Sequence, residues 1–414
     1  MKTVVRWCVL ILLLVGWRFG EAQEAISGGR RPRSEKTVLV HYMPWYSSQP
    51  FSGFWGWHWT MNAFDPEKKI PSGKREIASH DYPLIGPYDS NDPAVLECHV
   101  LLMKIAGIDG VVLDWYGREA FRDYAEIHRN CVHLIKILKK AKMQFCICYE
   151  DQTIGHRLSA KHIEETQTLV QGKKILRWLD QNWFSDPAYV RWGDRPILLI
   201  FGPQFFKKQD WKAMVDGLPS RPMLFGLPHL VAGTGMDGSF GWPPVSGGKE
   251  ITVKVWQDYL KRLETKSVTL PTIASVFPGF KDIYQQAKVS PSHGWIDQRD
   301  GKTLKETWSF AMRGRSPIVQ IATWNDFGEG TVVEPTDQNG YRFLEMIQND
   351  LRQDGNAKMK AQLRIPIRLY LLKKKVAQNG AAAKKIKQIT DLLFRGDFLE
   401  AQAMLAKLEG DLPL

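Results

Sequence analysis

Eight short apolar runs, most of them ending in acids or aromatic rings, constrain this chain more than any other feature. They are Val38–His41, Gly110–Leu113, Gln144–Tyr149, Pro196–Phe201, Met223–Leu227, Gly238–Trp242, Thr272–Phe277 and Pro317–Ala322. Each has about the length of one buried strand. Amphipathic stretches separate them: a helix entered through Asn91-Asp92-Pro93 and running to Ala106, one over Phe121–Ala141, one over Ala160–Leu179 and one near Trp211. Apolar strands that alternate with helices belong to parallel sheets, and eight such repeats predict an α/β protein of the (β/α)8 TIM-barrel type. No glycine-rich phosphate fingerprint follows any run, so a nucleotide-binding open sheet loses support.

The ends of the chain have a different character. Residues 1–22 carry Lys2 and Arg6, then the apolar run Trp7–Trp17, then Gly20-Glu21-Ala22. This is the layout of a secretory signal peptide, and the apolar run is short for a bilayer span. The expectation is a secreted or periplasmic protein with no transmembrane span once the signal is removed. Residues 23–36 form a basic, flexible lead, 37–352 the barrel, and 353–414 a basic helical extension with helices over Ile365–Val376, Ala382–Leu393 and Asp397–Leu408. Residues 356–388 hold ten Lys or Arg and no acid, which accounts for most of the net charge of +12. A solvated helix face or contact with an acidic surface would each explain that stretch; export argues against nucleic acid. Cys98, Cys131, Cys146 and Cys148 remain after the signal and read as buried thiols. None has zinc-site spacing, and no metal or cofactor is expected.

Chemistry concentrates where the runs end. His41 and Tyr42, Asp114 and Trp115, Glu150 and Asp151, Trp242, then Asp326 and Glu329 all fall at one predicted pole, where the βα loops of a barrel collect catalytic side chains. Two carboxylates three residues apart suit sugar chemistry, one as proton donor and the other as base or nucleophile. The same spacing also suits a helix start, with Asn325 or Asp326 as cap. The sixteen Trp include a cluster beside the first strand, where Trp45, Tyr46, Trp55, Trp57, His58 and Trp59 either line a sugar cleft or plug the barrel end as a small core.

Several motifs resemble family 99 of the glycoside hydrolases, the endo-α-mannosidases, and the related family 71 and WbsX-type barrels. His41-Tyr42-Met43-Pro44-Trp45-Tyr46 is similar to the family's aromatic opening, and His58-Trp59 to its following His-Trp. The stretch Leu84–Leu96 resembles its Gly-Pro-Tyr and Asp-Pro segment, Trp115-Tyr116 its Trp-Tyr, and Pro278-Gly279-Phe280 its Pro-Gly-Tyr. Trp324-Asn325-Asp326-Phe327-Gly328-Glu329-Gly330-Thr331, with Glu334, is similar to the signature that holds both catalytic carboxylates.

The resemblance implies a retaining, endo-acting α-glycosidase that hydrolyses a polysaccharide or glycan, and the N-terminal layout adds export. In that scheme Glu329 protonates the leaving oxygen and then activates water, while Asp326 helps the sugar's own 2-hydroxyl attack the anomeric carbon. Tyr42, Trp45, Tyr46, His58, Trp59, Asp114, Trp115, Tyr116, Glu150, Trp242, Trp324 and Asn325 are the expected substrate contacts. Asp326 stands where the family usually carries Glu, a reach shorter by on the order of 1.5 Å. That Asp form is closer to family 71, whose likeness implies an α-1,3-glucanase. Glu150 either contacts sugar or pairs with a base such as Arg157. A catalytically silent glycan-binding barrel is the alternative from another class; a sugar-transfer enzyme has less support, since no nucleotide site is visible.

Overall fold

In a computed structural model of the protein, all eight apolar runs are strands, and all are parallel. The structure describes residues 36–352, 357–376 and 380–411; residues 1–22, expected as a signal peptide, and nearly all of the expected lead at 23–36 lie outside them. The strands are β1 (Thr37–Tyr42), β2 (Gly110–Trp115), β3 (Gln144–Tyr149), β4 (Arg195–Ile200), β5 (Met223–Gly226), β6 (Gly238–Phe240), β7 (Thr272–Val276) and β8 (Ile318–Ile321). Each pairs with its sequence neighbour except at the seam, where β1 pairs with β8, so the sheet closes on itself as a (β/α)8 barrel. Burial of the strands on both faces explains why they read as uninterrupted apolar runs.

The helices around the barrel include α1 (Pro93–Ala106), α2 (Tyr124–Lys140), α3 (Thr168–Leu179), α4 (Lys208–Val215), α5 (Val253–Lys266), α6 (Lys302–Arg313) and α7 (Arg342–Arg352), with a shorter one over Gln152–Ser159 after β3. The Asp92 carboxylate accepts from the Ala94 N–H at 2.9 Å, which sets the start of α1. The stretch expected as one helix over Ala160–Leu179 is shorter: a turn at Lys161, with φ of 57°, and a 3-10 turn over Glu165–Gln167 precede α3. Helices α5, α6 and α7 were not among the expected elements, although two carry a legible stripe. Trp256, Leu260 and Leu263 repeat at helical spacing in α5, as do Leu304, Trp308 and Ala311 in α6, and all six are buried.

Four further helices follow: α8 (Ala357–Gln362), α9 (Ile365–Lys375), α10 (Gly380–Arg395) and α11 (Phe398–Asp411). Helix α9 lies against α1, burying Leu369 and Leu372 while Lys373 pairs with Glu97 and Lys374 reaches Asp92 at 2.6 Å. Arg364 pairs with Glu345, Arg368 with Glu409 and Lys387 with Asp391. Much of the basic stretch is therefore matched by acids of its own chain. Among the described residues no helix is long and apolar enough to cross a membrane.

Candidate active site

The loop that leaves β8 sets the geometry of the barrel mouth. It does not continue into a helix, so the capping reading fails in its main part. It doubles back instead: Thr323 N–H donates to Thr331 O at 2.8 Å, and Glu334 N–H to Trp324 O at 3.0 Å. One detail of a cap survives, since Glu329 N–H donates to Asp326 Oδ1 at 2.9 Å. The Asp326 N–H donates in turn to Thr323 Oγ1 at 2.8 Å. The backbone thus fixes Asp326 through its own N–H and that of Glu329, and the Glu329 and Gly328 N–H groups favour its charged form.

The rear of this loop is anchored by Asn325. Its amide accepts from Met43 N–H at 2.8 Å and donates to Met43 O and to Tyr88 Oη, both at 3.0 Å. Tyr46 Oη donates to Asn325 O at 2.9 Å and accepts from Phe327 N–H at 3.1 Å. Tyr88 Oη in turn donates to Glu334 Oε2 at 2.8 Å; Glu334 Oε1 lies 3.3 Å from His99 Nε2, and His99 Nδ1 is 3.0 Å from Tyr42 Oη. This network is buried throughout.

Its front faces a cavity of about 240 Å³, lined among others by His41, Trp45, Tyr46, His58, Asp114, Tyr116, Glu150, Trp242, Tyr284, Asp326 and Glu329. That cavity adjoins a chamber of about 710 Å³, with Trp45, Trp57, His58, Tyr116, Glu150 and Gln152 common to both walls and Phe54, Arg122 and Asp123 on the outer one. His58 stacks on Trp45 at 4.1 Å with its Nε2 3.3 Å from Asp123, which makes one rigid aromatic wall. Trp242 meets His41 and Phe201 edge-on at 5.0 Å.

Of the expected substrate contacts, seven line the inner cavity: Trp45, Tyr46, His58, Asp114, Tyr116, Glu150 and Trp242. The other five lie behind it, and their placement there corrects the expectation. Tyr42, Trp59, Trp324 and Asn325 are fully buried in the network or ring cluster that backs the loop. Trp115, also fully buried, packs on Trp178 and Trp183 toward the outside of the sheet. The reason is strand alternation: Asp114 points into the barrel, so its neighbour Trp115 points out. Eight further lining residues were not among the expected substrate contacts: His41, Met43, Trp57, Met61, Gln152, Phe201, Tyr284 and Gly328. Phe201 follows β4, Gln152 follows Glu150, and Tyr284 Oη lies 3.5 Å from Glu329 Oε1. Asp151 has a structural role, accepting from the N–H groups of Gln204, Phe205 and Phe206. Arg299 is held by Glu306 and Thr303. The alternative pairing of Glu150 with Arg157 is not made; Arg157 lies 3.7 Å from Glu119, and Glu150 accepts from Gln152.

Four carboxyl groups therefore share one small cavity that no Lys or Arg lines among the described residues. Burial raises all of them, and each but Asp326 is raised further by a neighbouring carboxylate. Asp326 is pushed up to about 7, checked by the Glu329 and Gly328 N–H groups. Glu329 is pushed well above the usual range, first by burial and then by the Asp326 charge, against a smaller opposing effect of the Trp242 indole. Of the two signature acids, Asp326 is the one built to ionise.

The sequence model described as "Glycosyl hydrolase family 99" matches residues 34–221. A zebrafish (Danio rerio) protein, a "glycoprotein endo-alpha-1,2-mannosidase-like protein", is 38% identical over 333 residues, spanning 72% of this chain and 70% of that one. The chain belongs to glycosyl hydrolase family 99. A rat (Rattus norvegicus) glycoprotein endo-alpha-1,2-mannosidase is 24% identical to this family 99 chain over 330 residues, or 72% of it and 67% of the rat protein. The solved family 99 endo-α-mannosidase of Bacteroides thetaiotaomicron superposes with a TM-score of 0.56 at 18% identity, covering 81% of this chain and 99% of that one; it shares the fold. As a family 99 member the chain is a glycoside hydrolase, acting on glycosidic bonds.

Proposed function

We propose that this family 99 hydrolase is an exported, retaining, endo-acting α-glycosidase of the endo-α-mannosidase type. The observation that carries the reading is the pairing of Asp326 and Glu329 on one loop, both facing the inner cavity, with ionisation tendencies pushed apart. Two carboxyls whose surroundings separate them divide into base and acid. Glu329 keeps its proton and has Oε2 without a partner among the described residues, so it can protonate the leaving oxygen and then take a proton from the incoming water. Asp326, ionising first, takes the proton from the sugar's 2-hydroxyl as that oxygen attacks the anomeric carbon. Asp114 and Glu150 would receive hydroxyls of the same ring, and the stacked Trp45 and His58 would carry the chain onward into the outer chamber. A cleft continuing past the acids suits an internal cut.

Hydrolysis of α-mannan beside a Glu329→Gln control, followed by mass spectrometry of products and by NMR of the first-formed anomer, tests this. Retained α products that vanish in the control support the reading; hydrolysis undiminished by Glu329→Gln would sink it. The shorter Asp326 favours a second reading of the substrate, an α-1,3-glucan, and including that polymer in the assay separates the two. Export rests on residues 1–22 and is tested by finding the mature N-terminus after residue 22 outside the cytoplasm.

A further inference from the structure

His41 and Asp114 line the inner cavity and Cys148 lies buried behind them, the three on neighbouring strands. One donor atom from each falls within 4.8 Å of the others, and all three residues are buried. Asp114 and Cys148 are register partners across β2 and β3, so the sheet fixes their separation. His41 is fixed by a different device. Gln320 Nε2 donates to Gly241 O at 3.2 Å, which turns its Oε1 toward His41 Nδ1 at 3.3 Å. An amide oxygen only accepts, so Nδ1 carries the ring proton and Nε2 presents a bare lone pair.

That lone pair has no hydrogen-bond partner among the described residues. Asp114 Oδ1 is 3.9 Å away, beyond hydrogen-bond reach. His41 Nε2 and Asp114 Oδ2 are both buried atoms without a hydrogen-bond partner among the described residues. A sugar hydroxyl could answer either of them, but it would not explain the third donor: Cys148 is fully buried and does not line the cavity. An imidazole lone pair, a carboxylate and a thiol that converge call for an electron-pair acceptor. An imidazole oriented by a partner on its other nitrogen is the usual arrangement around a bound metal.

We propose that His41, Asp114 and Cys148 form a binding site for a soft divalent cation of the zinc type, and that its occupation blocks the glycosidase cavity. Thiolate with imidazole selects zinc, cobalt or cadmium over magnesium or calcium. Zinc bonds of about 2.0–2.3 Å place tetrahedral ligands roughly 3.3–3.8 Å apart, a contraction that side-chain rotation supplies. Binding is balanced by protons: the Cys148 S–H bond breaks as the sulfur–metal bond forms, and the proton of the thiol, with that of Asp114 where present, passes to solvent. His41 and Asp114 line the cavity, so the fourth coordination position faces the space a sugar ring would fill. The cation then competes with substrate and sets its charge near Asp326, whose carboxylate Asp114 already feels.

The metal site stands without the glycosidase reading; only the blocking rests on it, and the two are read separately. Purified full-length protein is titrated with Co2+ under nitrogen, following the near-ultraviolet sulfur-to-cobalt charge-transfer absorption. One equivalent of band in the wild type, lost in Cys148→Ser, is expected; no band, or a band that persists in Cys148→Ser, overturns the site. Should serine at 148 prevent folding, Asp114→Asn is read by the same spectrum, with cobalt affinity at least tenfold weaker expected and an unchanged affinity overturning the site. In the hydrolysis assay Zn2+ should raise KM with kcat unchanged and be reversed by EDTA. Cys148→Ser should keep its metal-free rate and need at least tenfold more Zn2+ for the same inhibition. Cobalt binding without inhibition would overturn the blocking and leave the site.

Discussion

The loop between Thr323 and Glu334 has two faces that obey opposite rules. Its rear, from Asn325 through Tyr88 to Glu334 and His99, is a buried network of short contacts in which nearly every polar atom has a partner. Its front gathers Asp114, Glu150, Asp326 and Glu329 in one cavity with no cationic side chain to neutralise them. The rear spends buried polar groups on rigidity; the front leaves carboxyls raised and reactive, which a folded protein tolerates only where the backbone overdetermines their position. Satisfied networks hold, and unsatisfied ones react.

The sharpest way to break this comparison is to remove one member from each face. Glu329→Gln on the front should lower kcat by roughly 10²–10⁴, the usual worth of a general acid–base group. It should leave Tm unchanged or higher, as read by steady-state kinetics beside thermal melting. Glu334→Gln on the rear should do the reverse. It strips charge from a contact with His99 and Tyr88 and costs about 1–3 kcal/mol in denaturant unfolding, as for a disturbed buried hydrogen bond, with kcat per folded molecule within tenfold of wild type. A Glu334→Gln variant that kept its stability but lost its rate would show that the rear takes part in the chemistry.

pH sharpens the contrast further. Asp326, raised to about 7, must be ionised to act as base, so kcat/KM should climb about tenfold per pH unit below about 7. It should fall again at higher pH as Glu329 loses its proton. A flat profile between pH 5 and 7 would contradict the assignment. Stability should move the other way. A carboxyl raised on folding holds its proton where the unfolded chain has lost it, so the folded state loses stability as pH rises from about 4 toward the folded value. Glu150→Gln removes one such group and should raise Tm, with a larger gain at pH 8 than at pH 5. The smallest effect belongs to the extension. Lys373→Ala unpairs a partly exposed contact with Glu97 and should cost no more than about 1 kcal/mol, with hydrolysis unchanged.

How much of this was legible in the sequence varies with how local the cause is. The eight strands were, because a strand covered on both faces must be apolar throughout. The helix stripes of α5 and α6 are equally local, but each sits within a mostly polar stretch that masks it. The two acids of the loop were visible as a pair, but their spacing fits a cap as well as an active site; only the return of residues 331–334 onto 323–324 decides between them. Trp59, Trp115 and Trp324 illustrate the limit for aromatics. A ring at a strand end can face the cleft or the wall behind it, and composition does not distinguish the two.

The sequence by itself determined the barrel, the pole at which its acids gather and the family motifs, because periodicity and adjacency are properties of neighbouring residues. Tertiary structure alone decided which rings line the cavity and that Glu150 faces it, not Arg157. It also decided that His41, Asp114 and Cys148, from three strands with the first two residues 73 positions apart, come within 4.8 Å of one another. Closure of the sheet sets those distances, and closure depends on every strand at once.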